Sequence, residues 1–105
     1  MGSYSLVLNE LRERMKALYG PELRQLLLFG SQARGDAEPG SDIDVLVVLN
    51  REVRPGEEIR RTGAIVSELS LANNVVISCA FVSFQRFRNE QSPFLMNVRR
   101  EGIAI

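Results

Sequence analysis

Apolar side chains at Leu8, Leu11, Met15 and Leu18 recur at steps of three, four and three, the spacing that lines one face of a helix. Glu10, Arg12, Glu13, Arg14 and Lys16 cover the opposite side, and the pattern predicts a helix from about Ser5 to Tyr19. Gly20-Pro21 ends it, because Gly suits the position after a helix and Pro cannot continue one. The period then changes. Leu23 to Phe29 carries Leu26-Leu27-Leu28-Phe29, apolar on both faces, as expected of a strand inside a sheet with helices over it. Ile43 to Leu49 predicts a second strand of the same kind, and Asn50 to Gly56, with Arg51, Arg54 and Pro55, an exposed loop. A second long helix is predicted over Glu57 to Leu71, with Ile59, Val66 and Leu69 as its inward stripe. Gly63 falls between them, where the helix would cross the sheet closely. A third strand follows over Asn74 to Val82. Ser83 is placed to cap a short helix carrying Phe84 and Phe87, and Pro93 to open another that ends at Gly102. Ile103-Ala104-Ile105 predicts a small edge strand.

The order helix, strand, strand, helix, strand and helical tail points to an α/β (α+β) domain, a small mixed β-sheet with helices packed mainly on one face. The helix between the second and third strands makes a connection long enough for a crossover. With 105 residues, 45% of them hydrophobic, the chain fits one domain spanning 1–105. Thirteen basic residues balance 13 acidic ones, which disfavours a nucleic-acid binder working through bulk positive charge. The count of His is 0, excluding histidine bases, Ser-His-Asp triads and histidine-ligated zinc together. Cys79, the 1 cysteine, has no partner for an internal disulfide and reads as an inert thiol inside a strand. No apolar run approaches the ~18–20 residues that cross a bilayer. The first residues lack the basic start and apolar stretch of a signal peptide, so the cytoplasm is the expected compartment.

Chemistry concentrates in Phe29-Gly30-Ser31-Gln32-Ala33-Arg34-Gly35-Asp36 and in Gly40-Ser41-Asp42-Ile43-Asp44-Val45. Asp42 and Asp44 stand two apart at the mouth of an apolar strand, which places both carboxylates on one face, about 6–7 Å apart along the backbone. They can converge on a hard cation such as Mg²⁺. Without a counter-charge, two such carboxylates repel each other and resist desolvation. Gly30 lets the backbone approach a phosphate closely, while the Ser31 hydroxyl and nearby N–H groups can donate to its oxygens. Arg34 can reach a phosphate or brace the loop by pairing with Asp36. A Gly-Ser pair after a strand is a turn in most proteins, and Asp42 alone suits a turn or cap. Asp44, which interrupts an apolar strand, is what sets this segment apart.

Gly30-Ser31-x-Ala33-Arg34-Gly35 followed by Ser41-Asp42-x-Asp44-Val45-Leu46 resembles the signature of the DNA polymerase beta-like nucleotidyltransferase superfamily, and the length and layout are most like its minimal members. The resemblance implies transfer of a nucleoside monophosphate, AMP from ATP, to an acceptor with release of pyrophosphate. It implies that Gly30 and Ser31, with Arg34 nearby, hold the triphosphate, and that Asp42 and Asp44 are the catalytic pair ligating Mg²⁺ or Mn²⁺. It further implies a protein acceptor, a co-encoded small helical partner of the HEPN type, in a toxin–antitoxin pair.

The family pattern adds a third carboxylate on the following strand, and this chain departs from it. Its aspartates are Asp36, Asp42 and Asp44, and the matching stretch Asn73-Asn74-Val75-Val76-Ile77-Ser78-Cys79 holds no acid on either face. Three accounts follow. A nearby Glu (Glu68, Glu90 or Glu101) or the metal alone activates the acceptor; the partner completes the site on docking; or the chain binds nucleotide and acts by contact as a non-catalytic antitoxin.

A domain this small cannot enclose a large acceptor, so a macromolecular partner is expected, and self-association is open. Phe81, Phe84, Phe87, Phe94, Leu95 and Met96 crowd the last quarter, mostly as core or as cover for the sheet, with room for an exposed helix-binding face. Arg86, Arg88, Arg99 and Arg100 in the same region suit an acidic partner.

Overall fold

The predicted periods are realised in a computed structural model that describes residues 4–105. The elements are α1 (Ser5–Tyr19), a 3₁₀ turn (Gly20–Glu22), β1 (Leu23–Phe29), α2 (Ser31–Arg34), β2 (Ile43–Leu49), α3 (Pro55–Asn73), β3 (Ile77–Ser83), α4 (Phe84–Asn89), α5 (Pro93–Glu101) and β4 (Ile103–Ala104). The strands form one mixed sheet in the order β3-β2-β1-β4. β1 runs antiparallel to both of its neighbours, and β2 runs parallel to β3 through the α3 crossover.

Strands β1 and β2 are apolar on both faces because both faces are covered. Leu26, Leu28, Val45, Val47 and Leu49 pack with Leu8, Leu11 and Met15 of α1 and Leu69 of α3. On the opposite face Leu27, Leu46, Val48 and Val82 pack with Leu95 and Val98 of α5. The two long helices share one face, as expected of a sheet covered mainly on one side. The short α4 and α5 close the other with a smaller core, capped at their starts by Ser83 and Ser92. Cys79 packs against the larger core, and burial pushes its thiol up to about 12, so it stays protonated.

The inward stripe of α3 holds at Leu69, which is buried, and at Val66, which packs against the larger core, and departs from the expected one only at its start. Ile59 is 55% exposed, while Glu58 and Thr62 are buried beside Leu69. At that end of the helix an ion network holds Glu58 inward. Glu58 accepts hydrogen bonds from the Tyr19 hydroxyl at 2.6 Å, Arg51 at 2.7 Å and Arg61 at 2.9 Å, joining the end of α1 to the start of α3. Arg51 also pairs with Glu22 at 3.2 Å. The same network draws Tyr19 inward at the end of α1 and leaves the expected Leu18 39% exposed. Gly63 does not mark a close crossing: a Cβ there meets nothing within 4 Å. The third strand begins at Ile77 rather than Asn74, because α3 runs on to Asn73 and Asn74 caps it in the left-handed conformation (φ 52°).

Candidate active site

Two glycines frame the turn between β1 and β2. Gly30 leaves β1 with φ 73° and ψ −155°, a conformation essentially reserved for glycine, and starts the single helical turn α2. Gly35, at φ 81°, ends that turn with its N–H on the Ser31 carbonyl. Within it the Ala33 and Arg34 N–H groups donate to the Gly30 carbonyl at 3.1 Å. The first N–H groups of the turn have no carbonyl within it to reach and are free for an outside acceptor.

Asp44 stands in register with Phe29 across the β1–β2 ladder, which brings its carboxylate against this turn. A Cβ on Gly30 would lie 2.6 Å from Asp44 Oδ2. Gly30 therefore meets two demands at once: the backbone conformation and the room for the carboxylate. Asp42, one step outside β2, is exposed, while Asp44 is half-buried. Burial, and after it the charge of Asp42, raises the Asp44 carboxyl above the usual aspartate range. Among the described residues neither carboxylate takes part in an ion pair. Two hard oxygen donors, held together at an electrostatic cost and lacking a side-chain counter-charge, fit a divalent cation.

The loop between the two halves of the motif is braced from inside. Ser41 accepts from the Glu38 N–H on its hydroxyl at 3.0 Å, and its own N–H donates to the Glu38 carbonyl at 3.0 Å. Gln32 reaches across from α2 and donates to the Ser41 carbonyl at 3.4 Å. This residue was not singled out from the sequence, because a lone Gln in a turn carries no signal of what it will meet. Arg34 takes the bracing role, pairing with Asp36 at 3.1 Å while 45% of its side chain stays exposed.

The structure brings Gly30, Ser31, Asp42 and Asp44 to one end of the sheet and keeps two of the three glutamates apart from them. Glu68 pairs with Arg14 at 2.8 Å on the α1–α3 side, and Glu90 pairs with Arg86 at 2.8 Å beyond α4. Glu101 comes nearest. It lines a cavity of about 150 Å³ with Phe29, Gly30, Arg34, Phe94, Asn97 and Val98. Phe94 of α5 stacks edge-on against Phe29, 5.4 Å between ring centres, and stays 46% exposed. Among the described residues no three His, Cys, Asp or Glu side chains gather closely enough to hold a metal. Opposite Asp44 on the parallel strand stands Ser78.

The sequence profile of the nucleotidyltransferase domain family matches residues 8–98. The chain belongs to that family. A relative from Methanocaldococcus jannaschii, named "Putative protein adenylyltransferase", is 32% identical over 94% of this chain and 95% of its own length. The fold of this nucleotidyltransferase-family chain also recurs in solved structures. A chain of a toxin–antitoxin crystal structure with AMP-PNP matches with a TM-score of 0.63 at 18% identity, over 90% of this chain and 69% of that one. A chain from a complex of tri-AMPylated Shewanella oneidensis HEPN toxin with MNT antitoxin matches at 0.51 and 19%, over 93% and 70%. Among the described residues no helix is long and apolar enough to cross a membrane.

Proposed function

We propose that this chain transfers AMP from ATP to a hydroxyl group of a protein partner, a small helical toxin of the HEPN type, and so acts as an adenylylating antitoxin. The observation that carries this reading is the contact of the Asp44 carboxylate with the Gly30–Ser31 turn. It puts one carboxylate of the Asp42/Asp44 pair beside the first amides of α2, which supports binding of a metal–triphosphate substrate there. The putative adenylyltransferase relative and the AMPylated complex of similar fold support the substrate and acceptor classes.

In the reaction the acceptor oxygen attacks the α-phosphorus, the bond from that phosphorus to the bridging oxygen breaks, and pyrophosphate leaves with the electron pair. The acceptor hydroxyl gives its proton to solvent or to a base on the partner. A divalent cation held by Asp42 and Asp44 would offset the charge developing on the phosphate oxygens. Ser31 and the free amides of α2 orient the triphosphate and hold the pyrophosphate as it departs. Arg34, released from Asp36, has the reach and charge to contact the outer phosphates.

The purified chain, incubated with its co-encoded neighbour, α-labelled ATP and Mg²⁺, is expected to place label on that partner. An Asp42→Ala/Asp44→Ala double variant should place none. Ser31→Ala should raise the KM for ATP more than it lowers kcat. Label on the partner that survives in the double variant contradicts the assignment. A second reading, an antitoxin acting by contact alone, is favoured by the lack of any acid in residues 73–79, the stretch that matches the strand carrying the family's third carboxylate. Measurable Mg²⁺–ATP binding with no transfer would select it.

A further inference from the structure

The register of the sheet carries one step that rests on the nucleotidyltransferase reading and goes beyond it. β2 and β3 are parallel and pair Asp44 with Ser78, so both side chains leave the same face of the sheet on adjacent strands. Neighbouring strands lie about 4.8 Å apart, a spacing at which a carboxylate at position 78 could share a cation with Asp44. Ser78 is exposed and offers one neutral hydroxyl instead. A two-ion phosphoryl site holds its cations about 3.5–4 Å apart, and their mutual repulsion has to be offset by surrounding anionic ligands. Two carboxylates together with phosphate oxygens and waters suit one Mg²⁺. Among the described residues no third acidic, cysteine or histidine side chain joins them in a metal-sized cluster.

We propose that this active site binds a single divalent cation with its nucleotide, and that Ser78 is the residue that sets that number. The second cation of a two-ion site has no anionic protein ligand on β3. Activation of the acceptor hydroxyl therefore does not draw on a carboxylate of β3.

The experiment counts bound Mn²⁺ by electron paramagnetic resonance, with protein in excess over α,β-methylene-ATP so that the nucleotide is bound. The wild-type chain is expected to bind one Mn²⁺ per nucleotide, and a folded Ser78→Asp variant two, with the broadened spectrum of a spin-coupled pair. Two ions in the wild-type chain would overturn the proposal while leaving the nucleotidyltransferase reading intact. One ion in Ser78→Asp, with its circular dichroism unchanged, would remove Ser78 as the determinant. Asp44→Asn should lose the ion along with nucleotide affinity. If it keeps both, the underlying assignment of the carboxylates fails instead.

Discussion

At Gly30 and Asp44 the backbone and the chemistry constrain each other. Replacing Gly30 by Ala forces a side chain into a conformation that costs about 1–3 kcal/mol and drives its Cβ to 2.6 Å from Asp44 Oδ2. Gly30→Ala is expected to lower the midpoint of urea unfolding and to displace Asp44, so nucleotide affinity should fall even in molecules that fold. Asp44 has the opposite relation to stability. Its raised carboxyl pKa means the native chain holds that proton more tightly than the unfolded chain. Its contribution therefore becomes unfavourable as pH rises from about 3.9, the unfolded value, through the folded one. Asp44→Asn should raise Tm at pH 7 in metal-free buffer, and the gain should shrink toward pH 4; an equal gain at both values would mean that charge is not its source. Asp44 stood out in the sequence because a charge interrupts an apolar strand, and Gly30, Ser31 and Asp42, each ordinary in a turn, were singled out by their spacing from it. Gln32 and Phe94 were not, because their partners lie on other segments and nothing local marks them.

The long helices show where periodicity succeeds and where it slips. Both were visible, and α1 matched in its limits. The start of α3 departs from the expected stripe because its deepest residue is an acid, while Val66 and Leu69 face inward as expected. Pattern reasoning places Glu58 in water, yet it is only 1% exposed and satisfied by three donors from three separate stretches of chain. Arg51 holds its carboxyl below the usual range against the opposing effect of burial, and Tyr19 adds to the lowering. The stability this supplies is present above about pH 4.3, the unfolded value, and is lost as pH falls through the folded one. Glu58→Gln should cost about 3 kcal/mol at pH 7 by urea denaturation, near the low end for breaking a buried ion pair because its arginines keep access to water. The cost should diminish below pH 4. Gly63, expected at a tight crossing, sits over open space on α3. Gly63→Ala should therefore stabilise the chain by about 1 kcal/mol through helix propensity, a rise in Tm of about 4–8 °C for a domain of this size. A loss of stability would show that the helix surface there is less open than its geometry indicates.

Across the whole molecule, the fold class followed from the order of elements, whereas the antiparallel pairing of β1 with β2 was not read from the sequence and comes from the structure. To place Asp44 beside Gly30, the start of β2 has to lie against the end of β1, and the register of Phe29 with Asp44 achieves this. The division of the core was less legible. The tail's aromatic residues gave no period, and only the structure separates the buried Phe81 and Leu95 from the half-exposed Phe94 and Met96. Of that exposed pair, Phe94 lines the cavity beside Gly30 together with Arg34 and Glu101. Arg99 is partly committed, donating to the Phe87 carbonyl at 2.6 Å, and Arg100 to Asn97 Oδ1 at 2.6 Å.

The central claim is that Asp42 and Asp44 act on a triphosphate through a divalent cation at the Gly30–Ser31 turn. Calorimetric titration of the chain with α,β-methylene-ATP tests it without any acceptor. Binding should require Mg²⁺ or Mn²⁺, weaken at least tenfold in Asp44→Asn, which corresponds to about 1.4 kcal/mol, and weaken again in Ser31→Ala. Binding that is equally tight in EDTA, or unchanged in Asp44→Asn, would contradict the account.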